Sequence, residues 1–166
     1  IYQPLVDNFL EVATHSSGSL VFKQLIMKVD KIVQMKTTII HLVCHEMENL
    51  VQDPYGNYVI QYALEYYPKD CLAIQQKIIN KLIPYSSQKF SSNIIEKSLA
   101  VGDYYFRKKV AAEILKNDRL ADLLKNKYGN YVILHTLAIC DSEDKQSIMQ
   151  GIDRCVYSFQ GTKYKL

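Results

Sequence analysis

Hydrophobic positions recur along this chain in four blocks of helical phase. Counting from Gly56, apolar residues follow at three, four, seven and eight places, giving Val59, Ile60, Ala63 and Leu64. The same count from Gly18 gives Val21, Phe22, Leu25 and Ile26, from Ser91 it gives Ile94, Ile95, Ser98 and Leu99, and from Gly129 it gives Val132, Ile133, Thr136 and Leu137. Such spacing turns one stripe of a helix toward a core. The anchors at 18, 56, 91 and 129 lie 38, 35 and 38 residues apart. A period in this range marks stacked supersecondary units, each burying its apolar face against its neighbours. A second apolar helix is predicted after three of the blocks, over residues 69–82, 103–116 and 142–152. A shorter amphipathic segment precedes each anchor, as in 48–52 and 121–124. Pro68, Pro84, Gly102 and Asp141 read as breakers between elements. After Gly151 a last capping helix is predicted over 152–159, followed by a polar tail over 161–166. With no strand pattern, the expectation is an all-α superhelix of helix triplets with a concave and a convex face.

Composition changes this picture little. The 166 residues are 48% hydrophobic and 22% charged, enough apolar material for one continuous core. No apolar run approaches the roughly 20 residues that span a bilayer. With no leader-like opening either, the expectation is an intracellular, cytoplasmic protein. The chain opens at Ile1, and its first block has no upstream neighbour to cover it. A piece of a longer array is therefore expected. Cys44, Cys71, Cys140 and Cys155 form no Cys-x-x-Cys pair and read as reduced, mostly buried thiols. The net charge of +3 permits a polyanionic partner without requiring one. His41, Cys44 and His45 share a helix face but lack a fourth ligand, so no metal or other cofactor is expected. No nucleophile with a base, paired carboxylates or phosphate loop stands out, and no enzyme activity or small-molecule substrate is expected.

What varies between the blocks carries more information. Residues i and i+4 of a helix share a face and i+1 flanks it. Starting one place after each anchor, the triplets are Ser19, Leu20, Lys23; Asn57, Tyr58, Gln61; Ser92, Asn93, Glu96; and Asn130, Tyr131, Leu134. Three of the four put a short hydrogen-bonding side chain at i and a planar group at i+1, an arrangement that can pinch a planar ligand. The competing structural reading is that Asn and Ser serve helix starts and inter-repeat hydrogen bonds.

Asp53-Pro54-Tyr55-Gly56-Asn57-Tyr58-Val59-Ile60-Gln61 and Phe90-Ser91-Ser92-Asn93-Ile94-Ile95-Glu96-Lys97 resemble the sixth and seventh repeats of the Pumilio (PUF) family of RNA-binding proteins. Lys127-Tyr128-Gly129-Asn130-Tyr131-Val132-Ile133 is similar to the eighth, and Thr14-His15 through Gly18 resembles the Thr-His-x-x-Gly of the fifth. The resemblance implies a right-handed α-solenoid of three-helix repeats, near 7–38, 45–83, 84–117 and 118–152, with a C-terminal cap over 153–166. It also implies one RNA base per repeat, read by i and i+4 and stacked by i+1. Asn57 with Gln61 would read uracil, and Ser92 with Glu96 guanine. Glu96 can accept from both the N1–H and the exocyclic amine of guanine. Tyr58, Asn93 and Tyr131 would interleave the bases, with the RNA antiparallel to the repeats and a UGU core read from the last repeat backwards.

Two triplets depart from the pattern. Leu134 stands where a Gln is expected opposite Asn130, so the last repeat makes only part of a uracil contact. Ser19, Leu20 and Lys23 depart further: Leu20 can pack on a base, while Lys23 seeks acceptors or phosphate. Lys89, Lys97, Lys125 and Lys127 lie near the reading helices as further phosphate candidates, whereas Arg107-Lys108-Lys109 reads as a solvated helix face. The expected partners are single-stranded mRNA, at 3′ untranslated regions, and protein effectors on the convex face or in trans. The expected role is post-transcriptional regulation by translation repression or mRNA decay. Two alternatives stay open: an armadillo-type solenoid gripping an extended peptide, and a PUF-like protein that binds RNA through basic surface with little sequence preference.

Overall fold

Each anchor lies in the first turn of a helix, and each such helix is the middle member of a triplet. The computed structural model describes residues 2–116 and 118–163, with side chains to Tyr157. The first repeat comprises α1 (Tyr2–Asp7) and α2 (Phe9–Ala13), then α3 (Ser16–Val29) and α4 (Val33–His45). The second is α5 (Met47–Leu50), α6 (Gly56–Tyr66) and α7 (Leu72–Asn80). The third is α8 (Leu82–Ser86), α9 (Ser91–Val101) and α10 (Tyr104–Ile114), and the fourth α11 (Arg119–Lys125), α12 (Gly129–Ile139) and α13 (Ser142–Lys163). No strand occurs among the described residues. The middle helices α3, α6, α9 and α12 pack side by side in one row, and α4, α7, α10 and α13 form a second. The chain is thus an α-solenoid.

The anchor is small because the short helix crosses close to the middle one. A Cβ on Gly129 would stand 2.9 Å from the Leu123 carbonyl oxygen, and one on Gly56 would stand 2.8 Å from Leu50 Cδ2. At Ser91 the position is used differently. Its hydroxyl donates to the Tyr85 carbonyl at 2.6 Å and accepts from Gln52 Nε2 of the preceding repeat at 2.7 Å. The bend into the middle helix is also repeated: Asp53 Oδ1 accepts from the backbone of Tyr55 and Gly56, and Asn126 Oδ1 from that of Tyr128 and Gly129. These side chains satisfy donors that the helix start leaves without partners.

The predicted apolar stripe forms one buried cluster from Phe9 to Ile148. Ile60, Leu64, Ile74, Ile78, Ile94 and Leu99 are fully enclosed, each contributing about 1.5–3 kcal/mol relative to exposure. Val59, Ile94 and Val132 are buried, whereas their equivalent in the first repeat, Val21, is 43% exposed. The helices α6, α9 and α12 each pack on the middle helix of the preceding repeat. Among the described residues α3 has no such neighbour.

Four expectations are corrected. The first repeat also has its second helix, α4, whose polar Gln34, Lys36, Thr37 and Thr38 obscure a stripe of which only Ile39 and Val43 are buried. The separate cap expected over 152–159 is the continuation of α13, which passes through Gly151 without a break. There a Cβ would lie 2.6 Å from Leu120 Cδ2, so that glycine serves packing against α11. The expected tail over 161–166 is helical to Lys163, and 164–166 lie outside the described residues. Pro84 is not a breaker, since it occupies the first turn of α8, where its missing N–H breaks no helical bond.

The Arg107-Lys108-Lys109 run is also not simply a solvated face. Arg107 donates from Nε to the Leu99 carbonyl and from Nη2 to that of Ala100, both at 3.0 Å, closing the C-terminal end of α9. Lys108 reaches Asp141 at 3.0 Å, Glu143 at 3.1 Å and Asp144 at 3.2 Å. The Asp141 hydrogen bond foremost holds its ammonium above the usual lysine range. Lys36 makes the equivalent bridge to Asp70 one pair of repeats earlier, at 2.8 Å. Buried Tyr67 donates to the Ile26 carbonyl, and Lys77 Nζ to that of Cys44 at 2.7 Å, so repeats are joined by polar as well as apolar contacts.

Candidate nucleic-acid interface

Because the middle helices stack side by side, their first turns bring the four triplets into one ladder. Ser19, Asn57 and Ser92 are buried at its base and Asn130 half-buried. The flanking Leu20, Tyr58, Asn93 and Tyr131 all stand exposed. Lys23, Gln61 and Glu96 are half-buried, and Leu134 is 61% exposed. A large apolar side chain so exposed contributes little to the core.

The polar pairs are already joined. Gln61 Nε2 donates to Asn57 Oδ1 at 2.9 Å, while Asn57 Nδ2 donates to the Asp53 carbonyl at 2.8 Å. Each amide nitrogen therefore keeps one hydrogen free, and the Gln61 carbonyl oxygen remains an acceptor. Ser92 Oγ and Ser19 Oγ each donate weakly to a backbone carbonyl three residues earlier, at 3.3 and 3.2 Å. A concavity of ≈ 420 Å³ opens between Tyr58 and Asn93, with Gln61, Glu96, Lys97 and His135 on its walls.

Two residues that the triplets did not include stand behind the ladder. Tyr62 and His135 both stand at i+5, beside the i+4 residue of the preceding repeat. His135 Nδ1 is enclosed without a hydrogen-bond partner and lies 3.8 Å from Glu96 Oε2. The Lys23 ammonium sits 5.4 Å from the centre of the Tyr62 ring, which stacks with Tyr58 at 6.4 Å. Burial foremost raises the Tyr62 phenol above its usual pKa. In the repeat register both lie one place beyond the triplet.

The phosphate candidates divide. Lys97 is engaged by Glu65 at 2.9 Å. Lys89 and Lys127 lie over the rings of Phe90 and Tyr128, at 4.9 and 4.8 Å, where the chain enters α9 and α12. Lys125 stands in the last turn of α11. Elsewhere, the His41 and His45 rings stack at 6.3 Å and His45 Nδ1 meets Glu46 at 2.8 Å. Cys71 and Cys140 are buried, and burial foremost pushes the Cys71 thiol up to about 12. No helix among the described residues is long and apolar enough to cross a membrane.

Fold and site together define a solenoid of three-helix repeats that presents a ladder of polar residues flanked by exposed side chains. The Pumilio-family RNA binding repeat matches residues 8–31, 48–83, 81–115 and 119–152, and the chain belongs to that family. It is 30% identical over 163 residues to Pumilio domain-containing protein C6G9.14 of Schizosaccharomyces pombe, covering 98% of this chain and 24% of that protein. It is 28% identical over 134 residues to Pumilio homolog 12 of Arabidopsis thaliana, covering 80% of this chain and 22% of that one. The chain thus spans about a quarter of the length of these relatives. Among solved structures, the Puf3 RNA-binding domain bound to a Cox17 RNA 3′ UTR recognition sequence superposes with a TM-score of 0.81 at 24% identity, over 99% of this chain and 51% of that one. The Puf4 RNA-binding domain bound to an HO endonuclease RNA 3′ UTR recognition sequence gives 0.75 at 26% identity, over 93% and 50%.

Proposed function

We propose that the chain binds single-stranded RNA in a sequence-specific way, taking one base per repeat along the ladder and recognising a UGU core in mRNA 3′ untranslated regions for post-transcriptional regulation. The observation that carries this reading is the row in which the first three repeats set a buried i residue and a half-buried i+4 residue between exposed side chains at i+1, in Pumilio-family repeats. Relatives solved with 3′ UTR sequences support the ligand class.

The hydrogen-bond inventory suits the assignment at the second and third repeats. At the second repeat, the free hydrogen of Asn57 meets uracil O4, that of Gln61 meets O2, and the Gln61 oxygen accepts from N3–H. At the third, Glu96 accepts from N1–H and the 2-amino group of guanine, and Ser92 turns its weakly held proton to O6. Uracil there leaves the carboxylate without one of its two donors, a cost of about 1–3 kcal/mol. Stacking on Tyr58 and Tyr131 adds about 1–3 kcal/mol per base irrespective of sequence. At the fourth repeat Asn130 acts without a polar partner at i+4, so the first base is held chiefly by Tyr131 and Leu134. Cytoplasmic action through protein effectors on the convex face is the corresponding expectation for the whole protein.

A binding titration against a short RNA containing UGU and its UUU counterpart, at one fixed salt concentration, tests the proposal. Clear preference for UGU is expected. Equal and steeply salt-dependent binding would instead mark a basic surface with little base reading, and binding to neither RNA would favour a peptide-gripping solenoid.

A further inference from the structure

We propose that Lys23, held against the Tyr62 ring, makes the first repeat a reader of cytosine at the base that follows UGU. This rests on the base-reading function proposed above and extends it to the triplet that departs most from the others.

Three observations bear on it. Lys23 occupies the i+4 position, equivalent to Gln61 and Glu96, and like them is half-buried. Its ammonium stands over Tyr62, an i+5 residue of the next repeat, at 5.4 Å. His135 backs Glu96 from the same repeat position, at 3.8 Å. The Lys23 side chain is therefore held in the readers' row by an electron-rich ring, a favourable site for a cation. Exposed Leu20 and Tyr58 flank it, as Tyr58 and Asn93 flank the next concavity.

The preferred base follows from which atoms the i+4 residue faces. If Glu96 takes the N1–H and 2-amino group of guanine, the equivalent residue of another repeat faces the ring nitrogen of the Watson–Crick edge and the substituent at position 2. Lysine is a donor only. Guanine would present it with two donors, uracil with one donor and one acceptor, and adenine with a single acceptor. Cytosine presents two acceptors, N3 and O2, so exchanging Glu for Lys inverts the requirement. The i residue is compatible: the Ser19 hydroxyl, bonded to the Ser16 carbonyl at 3.2 Å as Ser92 is to that of Lys89, can either donate or accept. Its lone pairs remain to accept from the cytosine 4-amino group.

The test uses four RNAs of about ten nucleotides, identical except for the base after UGU, titrated at one salt concentration beside a UUU control. Cytosine should bind tightest and guanine weakest, with a separation on the order of tenfold. Lys23→Glu recreates the pairing of Ser92 with Glu96 and should move the preference to guanine. Tyr62→Leu should narrow the cytosine preference and Tyr62→Phe should keep it, since only the ring face is needed. Equal affinity for the four RNAs with UGU still favoured over UUU would overturn the Lys23 assignment alone. A Lys23→Gln variant that loses affinity equally for all four would also overturn it, by making the lysine a phosphate contact. Loss of the UGU preference itself, or no binding, would overturn the base-reading function and this inference with it.

Discussion

Exchanging Ser92 and Glu96 for Asn and Gln gives the third repeat the pair that the second already carries. The new asparagine has room to act as Asn57 does. Asn57 is fully buried and donates to the Asp53 carbonyl four residues earlier, and the equivalent carbonyl, that of Gln88, is present and receives the Ser92 backbone N–H at 3.1 Å. Glu96→Gln removes the negative charge and turns one of its two acceptors into a donor facing a guanine donor. Hydrogen bonds to a charged group contribute about 1.5–3 kcal/mol each. Because the Glu96 side chain is 33% exposed, the loss should fall at the low end of that range. About 2 kcal/mol corresponds to roughly 30-fold weaker binding to guanine at that base. Uracil gains the hydrogen bonds inferred for Asn57 and Gln61, so the order of UGU and UUU should reverse. Fluorescence anisotropy with labelled RNAs reads the ratio, and thermal melting establishes that the double variant is folded. A folded variant that still prefers UGU would refute the assignment of Ser92 and Glu96.

Other predictions address stacking, packing and pH. Tyr58→Ala should weaken binding to every RNA by about 1–3 kcal/mol while Tyr58→Phe does not, and unchanged affinity of the alanine variant would remove Tyr58 from the site. Gly129→Ala places a Cβ 2.9 Å from the Leu123 carbonyl oxygen, and should lower stability by about 1–3 kcal/mol; an unchanged melting temperature would contradict the close crossing of α11 and α12. The Asp144 backbone N–H and then Lys108 hold Asp141 below the usual carboxylate range, and Lys116 and then Arg119 do so for Glu113. The stability these groups contribute is complete above their unfolded values near pH 4 and is lost as pH falls through the lower folded values. Melting temperature should therefore hold from neutrality to about pH 5 and fall below about pH 4, less steeply in Asp141→Asn, and a decline centred near pH 6 would contradict this origin.

The repeat plan was legible because each copy is an independent sample of the same pattern. The Gly or Ser anchor, the stripe behind it and the triplet beside it recur in phase, and four samples separate what the fold requires from what varies. Features that depend on contacts between separate helices were not legible. The helix α4 starts with a polar half, Gln34, Lys36, Thr37 and Thr38, and its fully buried positions Ile39 and Val43 fall in the second half alone. Gly151 looked like a boundary, because its contact, Leu120, is far away in sequence. Lys108 looked like solvated charge because the carboxylates that engage it belong to the following repeat, and Arg107 because the carbonyls it closes lie on the preceding helix. The triplets could be named from the sequence, but the second rank behind them could not be seen without the stacking that brings His135 to Glu96 and Tyr62 to Lys23.

The most direct measurement is a crystal structure of the chain with an RNA containing UGU. The account predicts an RNA strand antiparallel to the repeats, with the guanine N1 and 2-amino nitrogens within about 2.7–3.2 Å of the Glu96 carboxylate and the following uracil against Asn57 and Gln61. RNA lying along another face, running in the opposite direction, or turning its bases away from α6 and α9 would contradict it.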